Sequence, residues 1–339
     1  MFVDNFENEK NQWWRINQPR KRLKNGTEIL FFSKINQKKC FKEIEKIIFF
    51  NKNIKVPKNN LEWVVVNSDC DQRNLRLFQQ IRNAGIKLTI LGSGVPFLGW
   101  GYRVRVIREY LLTLPKDRII ISTDASDVIL SPDAKNIDFI NAYKRLNNTI
   151  TFAAEGPCWI GKECDNQTLL DYPKPPKYTP FNYLNAGAYI GTAYSLQKVI
   201  EVIYTTDHGL DDQGAFSKAF IDIKKNNFKY KNFTFGLDFF NEMFISLFGL
   251  NIKKDFEIIN NAKKKKYSDK TKTTNLLKSF QITSVKTGGK PLVFHQSGLK
   301  IQNRVLEDLC VELNLPFFYS WAHTKEWFDT MPAFRKSVG

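Results

Sequence analysis

The sequence predicts an α/β protein built on a doubly wound, mostly parallel sheet, and three observations carry that prediction. Short β-branched apolar runs recur at Leu61 to Asn67, Lys87 to Leu91 and Arg118 to Ser122. Stretches with helical spacing lie between them, at Asn74 to Ala84 and Arg103 to Leu114. The runs are apolar along their length rather than alternating, as expected of strands covered on both faces. Strand and helix in turn imply crossover connections and a parallel sheet.

The elements follow in order. Residues 1–58 mix an apolar anchor at Trp13 and Trp14, a basic turn from Arg20 to Asn25 and an amphipathic stretch from Cys40 to Asn51, and are expected to form an accessory segment. A main domain then spans 59–305. Its first half, 59–150, opens with the βαβ pattern, passes through the Gly-rich aromatic loop Gly92 to Gly101, and has a strand ending at Asp124. Its second half, 151–305, follows a strand from Thr149 to Ala154 with a loop holding Pro157, Cys158 and Trp159 and a proline-rich segment from Pro173 to Pro180. Next come a strand from Tyr183 to Thr192 interrupted by Gly187 and Gly191, a helix from Ser195 to Thr205, a helix opening near Asp211, and an apolar run from Pro291 to Phe294 that ends at His295. Residues 306–339 read as a helical extension.

Composition excludes several classes. With 42% hydrophobic and 25% charged residues the chain is neither disordered nor fibrous. Its apolar stretches are far shorter than the roughly 18 residues of a spanning helix. Met1 to Lys10, with Asp4, Glu7 and Glu9, lacks the pattern of a secretory signal, so an intracellular location away from membranes is expected. Five cysteines without a Cys-x-x-Cys pair suggest neither a disulfide framework nor a zinc site, and Cys70 and Cys158 are expected to be small buried hydrophobes. The net charge of +17 invites a polyanion partner. The lysines are spread along the chain, however, and the dense run Lys263 to Lys266 sits in a polar stretch that reads as a solvated loop.

The chemistry concentrates where strands end. Asp124 and Asp127 follow the strand Arg118 to Ser122, at the carboxyl end where open α/β sheets bind ligands. Two carboxylates in one turn either converge on a hard cation that bridges phosphate oxygens or cap the next segment. His295, one of three histidines, also follows an apolar strand. An imidazole added to two carboxylates favours manganese over magnesium. Asp211 and Asp212 offer hydroxyl-binding carboxylates and equally a helix N-terminus.

Five strings occur in sequence: Ser122-Thr-Asp-Ala-Ser-Asp-Val-Ile-Leu130, Phe152-Ala-Ala-Glu-Gly-Pro-Cys-Trp159, Tyr183-Leu-Asn-Ala-Gly-Ala-Tyr-Ile-Gly191, Asp211-Asp-Gln213 and Val293-Phe-His-Gln-Ser-Gly-Leu-Lys300. Together, over roughly Leu61 to Lys300, they resemble the glycosyltransferase domain of procollagen lysyl hydroxylases, in a stand-alone form like those of giant DNA viruses. The resemblance implies a GT-A fold that binds a UDP-sugar through Mn2+, with Asp124, Asp127 and His295 as metal ligands. It implies nucleotide-sugar contacts from Val66, Asn67, Arg103, Ser126, Glu155, Gly187, Ser297, Gly298 and Lys300. It places Trp159, Asn185, Asp211 and Asp212 on the sugar and acceptor side. Three positions depart from the family pattern: Arg103, in Gly99-Trp-Gly-Tyr-Arg103, replaces a lysine, Ser126 replaces an aromatic residue that stacks on the nucleotide, and Ser297 replaces an asparagine.

The implied activity is transfer of glucose from UDP-glucose to galactosyl-hydroxylysine of a collagen-like protein, with retention. The rivals are a galactosyltransferase acting on bare hydroxylysine and a basic nucleic-acid-binding protein on a retired transferase fold. The nucleic-acid reading gives no reason to keep Asp124, Asp127 and His295 together. Beyond Lys300 only His323 remains, so the iron-dependent hydroxylase activity of the family's larger members is not expected, and any viral protein of this kind would work in the host cytoplasm.

Overall fold

The computed structural model describes residues 20–22, 28–31, 60–67, 75–93, 98–132, 134, 138–158, 166–204, 211–225, 233–260, 280–296, 305–313 and 315. Its central sheet has eight strands: β1 (Arg20–Arg22), β2 (Glu28–Phe31), β3 (Leu61–Val66), β4 (Lys87–Ser93), β5 (Ile119–Thr123), β7 (Ile150–Glu155), β8 (Tyr183–Thr192) and β9 (Phe235–Asp238). Their spatial order is β1-β2-β4-β3-β5-β8-β7-β9. The pairs β2/β4, β4/β3, β3/β5 and β7/β9 are parallel, and only β1 and β8 run against the rest. The mostly parallel, doubly wound sheet read from the sequence is therefore present.

Helices cover both faces. They are α1 (Leu75–Asn83), α2 (Trp100–Leu111), α3 (Phe139–Leu146), α4 (Asn166–Asp171), α5 (Ala193–Ile203), α6 (Asp212–Lys225), α7 (Ile252–Asp255) and α8 (Val305–Glu312). The apolar runs are buried because both faces are packed. Val64 and Ile120 point into a core with Tyr102, Ile107, Leu196 and Phe216, while Trp63, Val65 and Ile121 point into another with Phe78, Ile81 and Phe139. Trp63 is fully buried, donates its indole N–H to Thr123 Oγ1 at 3.0 Å, and meets Phe139 edge-on. Asp138 caps α3 by accepting the N–H groups of Ile140 and Asn141, and Asn147 ends it in the left-handed region.

Two small sheets complete the fold. β6 (Val128–Leu130), β13 (Val293–His295) and β10 (Phe244–Ser246) form one, with β13 in the middle; β11 (Phe256–Asn260) and β12 (Phe280–Ser284) form an antiparallel pair. The three-stranded sheet positions the site, because its register sets His295 opposite Val128, the residue after Asp127. Cys158 differs from expectation: it is disulfide-bonded and half-buried. Cys310 is free and buried, so the partner sulfur lies outside the described residues, as does Cys70. Among the described residues no helix is long and apolar enough to cross a membrane.

Candidate metal centre and active site

The site forms where β5 stops. Beyond Thr123 the pairing with β8 continues for one step, the Asp124 N–H donating to the Gly187 carbonyl at 2.8 Å. The bend at Ala125 to Asp127 then leads the chain into β6, and the Gln296 N–H donates to the Asp127 carbonyl at 2.9 Å. Both acidic residues are thus fixed through their backbones around His295. Its Nε2 lies 3.3 Å from Asp124 Oδ2 and 3.5 Å from Asp127 Oδ2. The ligand atoms of the three residues all lie within 4.8 Å of one another, and they are the one group among the described residues able to hold a metal ion.

The tautomer of His295 follows from its other neighbour. Asn185 Nδ2 donates to Glu155 Oε2 at 2.9 Å, and Asn185 Oδ1 accepts the Gly187 N–H at 3.0 Å, so the amide orientation is set. His295 Nδ1 lies 2.8 Å from that same Oδ1 and must carry a proton to bond it. Nε2 is then the nitrogen that faces the carboxylates and that a metal would take in exchange for its proton, a support of the kind that metal-bound imidazoles ordinarily have. Glu155 is in turn held by Gln213, whose Nε2 donates to Oε1 at 2.7 Å and whose Oε1 accepts the Ala186 N–H at 3.1 Å. Gly187 is needed for space: a Cβ there would stand 2.0 Å from His295 Cε1.

Arg103 ties the two halves of the site together. It sits in the first turn of α2, which begins at Trp100 and so includes part of the stretch read as a loop. Its Nη1 pairs with Asp124 Oδ1, its Nη2 donates to the Ala186 carbonyl at 2.7 Å, and its Nε lies 3.0 Å from Asp212 Oδ2. The two residues of the Asp211-Asp212 pair have different surroundings, and the helix N-terminus reading is met by Asp211 alone. Asp211 is exposed and caps α6 by accepting the Gln213 N–H at 3.1 Å, while Asp212 is buried and turned to Arg103.

The electrostatics reflect this crowding. Burial opposes the charge on His295, but Asp127 and Asp124 outweigh it and raise the imidazole to about 10. Burial likewise pushes Asp124 up, yet Arg103 and then His295 hold it below the usual carboxylate range. Asp212 goes the other way: burial raises it, Arg103 opposes, Asp124 and Asp211 add to the rise, and it reaches about 7. Asp127 Oδ1 is buried with no hydrogen-bond partner. An unpaired carboxylate oxygen beside Nε2 and a second carboxylate fits a divalent cation that replaces the imidazole proton.

Of the other expected site residues, Val66 and Asn67 continue β3 beside the end of β5, since Val65 pairs with Thr123, and Asn67 is buried. Ser126 is half-buried between the two acidic residues. Asp124, Asp127, His295, Asn185, Glu155, Gly187, Arg103 and Asp212 are brought together by direct contacts. Trp159, Ser297, Gly298 and Lys300 lie outside the described residues. Gln213 is a site residue the sequence reading passed over, although it directly follows the acidic pair; nothing in the sequence shows that its amide reaches Glu155.

A mostly parallel α/β sheet carrying an acidic and imidazole cluster of metal-binding type at its carboxyl edge is the frame on which the family match falls. The chain belongs to the PLOD GT domain family, the lysyl hydroxylase glycosyltransferase, which it matches over residues 57–281, about two thirds of its length. It is thus a glycosyltransferase of GT-A type. His295 lies just past the matched residues. Among solved structures it is similar to a glycosyltransferase involved in the glycosylation of the major capsid of PBCV-1, at 11% identity over 55% of this chain and 84% of that one, with a TM-score of 0.35. It is also similar to a protein named as a glucose-1-phosphate thymidylyltransferase from Bacillus anthracis, at 10% identity over 51% of this chain and 66% of that one, with a TM-score of 0.30. No curated protein matches it.

Proposed function

We propose that the chain transfers glucose from UDP-glucose to galactosyl-hydroxylysine in a collagen-like protein, with retention and with a preference for manganese. The observation that carries this reading is the Asp124, Asp127 and His295 cluster, supported through Asn185, inside a PLOD GT domain. Asp124, Asp127 and His295 Nε2 would hold the ion, whose chemistry is to neutralise the departing diphosphate as a Lewis acid and template. One imidazole among carboxylates suits manganese better than an all-oxygen ion.

The chain's own residues supply the rest. Arg103 keeps Asp124 ionised and in place, and holds Asp212 from its other edge. Asp212 accepts a hydrogen bond from the acceptor hydroxyl and orients it. With a pKa near neutrality it can also take the proton as the glycosidic bond forms. Retention requires no enzyme nucleophile here: attack from the face that the diphosphate leaves gives the same outcome. Residues 59–150 serve as the nucleotide half, 151–305 as the sugar and acceptor half, and Trp159, Ser297, Gly298 and Lys300 complete the donor and acceptor contacts.

The test is a donor screen with UDP-glucose, UDP-galactose and UDP-GlcNAc, read as UDP release with and without a galactosyl-hydroxylysine peptide. The expected result is acceptor-stimulated release from UDP-glucose that disappears in excess chelator and returns first with manganese. Preference for UDP-galactose with bare hydroxylysine would reassign the donor and acceptor; full turnover in chelator would remove the metal.

A further inference from the structure

The chain between α4 and β8 is a loop fastened from inside. The Tyr172 hydroxyl accepts the Leu184 N–H at 2.8 Å and donates to Ser217 Oγ at 3.1 Å. The Thr179 hydroxyl donates to the Phe239 carbonyl at 2.9 Å and accepts the Phe181 N–H at 3.2 Å. Between these anchors Pro173, Lys174, Pro175, Lys177 and Tyr178 border an open cavity of about 340 Å³. Tyr178 is 95% exposed although Thr179 beside it is 1% exposed. A large ring presented to solvent on a pinned backbone contributes nothing to the core, and it loses little further freedom when it meets a partner.

The cavity adjoins the site. The Asn182 N–H donates to the Glu155 carbonyl at 3.0 Å, and Tyr183, which also lines the cavity, stands opposite Glu155 in the sheet. Two residues further along the same strand is Asn185, which holds His295. The lining combines tyrosine rings, prolines and two ammonium groups, and none of its described residues is acidic. Such a surface suits a polyproline-II chain. Its flat proline faces pack on rings, and its backbone carbonyls, which make no internal hydrogen bonds, point outward to donors. A compact polar ligand would instead need several converging donors and acceptors in an enclosed pocket.

We infer that this cavity is the docking groove for the acceptor polypeptide, taking an extended, proline-containing segment beside the residue that receives the sugar. The inference rests on the glycosyltransferase reading above, with a polypeptide as acceptor. Tyr178 is its aromatic anchor, and Lys174 and Lys177 donate to the carbonyls of the bound chain.

Fluorescence anisotropy with a labelled Gly-x-y peptide rich in proline tests the groove without requiring turnover. The parental protein should bind it, and Tyr178→Ala should weaken binding at least tenfold, with the thermal midpoint and the affinity for UDP with manganese unchanged. Lys174→Ala with Lys177→Ala should weaken it three- to tenfold. A proline-free peptide of equal length and charge should bind at least tenfold more weakly than the proline-rich one. In transfer assays Tyr178→Ala should raise KM for the peptide and leave KM for free galactosyl-hydroxylysine unchanged. Absence of binding by the parental protein, equal binding by Tyr178→Ala, or equal binding of the proline-free peptide overturns the inference. If the groove binds the peptide in this manner but no sugar reaches it from any donor, the proposed activity fails while the groove stands. Transfer to the peptide that ignores Tyr178→Ala removes the groove and leaves the activity.

Discussion

Glu62, in the middle of the sheet, and Asp212, at its edge, are both buried carboxylates with a cationic neighbour, yet the fold surrounds them differently. Glu62 has donors of its own: Lys87 Nζ at 3.1 Å, the Thr89 hydroxyl at 2.5 Å and the Tyr110 hydroxyl. Lys87 reaches solvent with 22% of its side chain exposed, so the charge is both paired and partly hydrated through its partner. Asp212 shares one guanidinium with Asp124, has Asp211 next to it, and is pushed up to about 7 by burial. Through Arg103 and His295 it is joined to Asp124 and Asp127, so three carboxylates share two cations. A buried charge that serves the fold is given enough donors; a cluster that serves a ligand is left short of positive charge until the ligand arrives.

Removing a ligand from the short-changed cluster should have the largest effect. Asp127→Ala or His295→Ala should lower turnover on the order of 10³-fold, since several kcal/mol of leaving-group stabilisation is lost. Melting temperature should change little for Asp127→Ala, whose side chain is 21% exposed. In the metal-free protein His295, raised to about 10, carries a proton at pH 7 on the nitrogen that must ligate. Loading should therefore release about one proton per ion, read by calorimetry in buffers of different ionisation enthalpy. By the same sign, the imidazole's contribution to metal-free stability is complete below its ordinary value of 6.5 and is lost as pH rises through about 10. Near-parental rate and manganese affinity in either variant would withdraw the metal assignment.

The converse experiment is on Glu62. Glu62→Ala leaves Lys87, Thr89 and Tyr110 around a vacated buried site and should cost about 3 kcal/mol in urea unfolding. The folded fraction should bind manganese and UDP as the parent does, because the hydrogen bonds of Glu62 go to Lys87, Thr89 and Tyr110, which are not among the candidate metal ligands. A change in metal affinity beyond about threefold would mean that the two carboxylate systems are coupled and that the contrast drawn between them is false.

Much of this organisation was legible before the structure. The parallel core strands and their helices were found because runs such as Leu61 to Val66 are covered on both faces, which leaves a purely local signal. Elements whose stability comes from distant partners were not: β6 is three residues long and exists by pairing with β13, some 165 positions away in the chain. Asp238 shows the same limit. It is buried and accepts the N–H groups of Glu242, Met243 and Phe244 at 2.7 to 2.8 Å, so fixing the turn into β10, but in sequence it is one acidic residue in an aromatic stretch. In the site, the metal-type residues were recognised by type and by position at strand ends. Their supports, the Asn185–His295 bond, the Gln213–Glu155 bond and the three-way hold of Arg103, depend on side-chain directions that spacing does not encode.

The smallest and most discriminating effect is expected at Asp212. If its carboxylate orients or deprotonates the acceptor hydroxyl, Asp212→Asn removes a group used by the transition state and not by the nucleotide. Transfer to peptide should fall about 100-fold, with affinity for UDP and manganese within about tenfold of the parent. The pH profile gives the sign. An acid raised to about 7 is protonated below that pH and cannot accept the hydroxyl proton, so parental kcat should climb through an acid limb near pH 7 and level off above it. Asp212→Asn should be slow at every pH and lack that limb. Arg103→Lys offers an internal check, because lysine keeps the charge but cannot reach Asp124, Asp212 and the Ala186 carbonyl together. Weaker opposition to burial should then move the limb to higher pH. A limb that stays near pH 7 in Asp212→Asn would assign the titration to another group, and nucleotide binding lost as badly as in Asp127→Ala would place Asp212 with the donor.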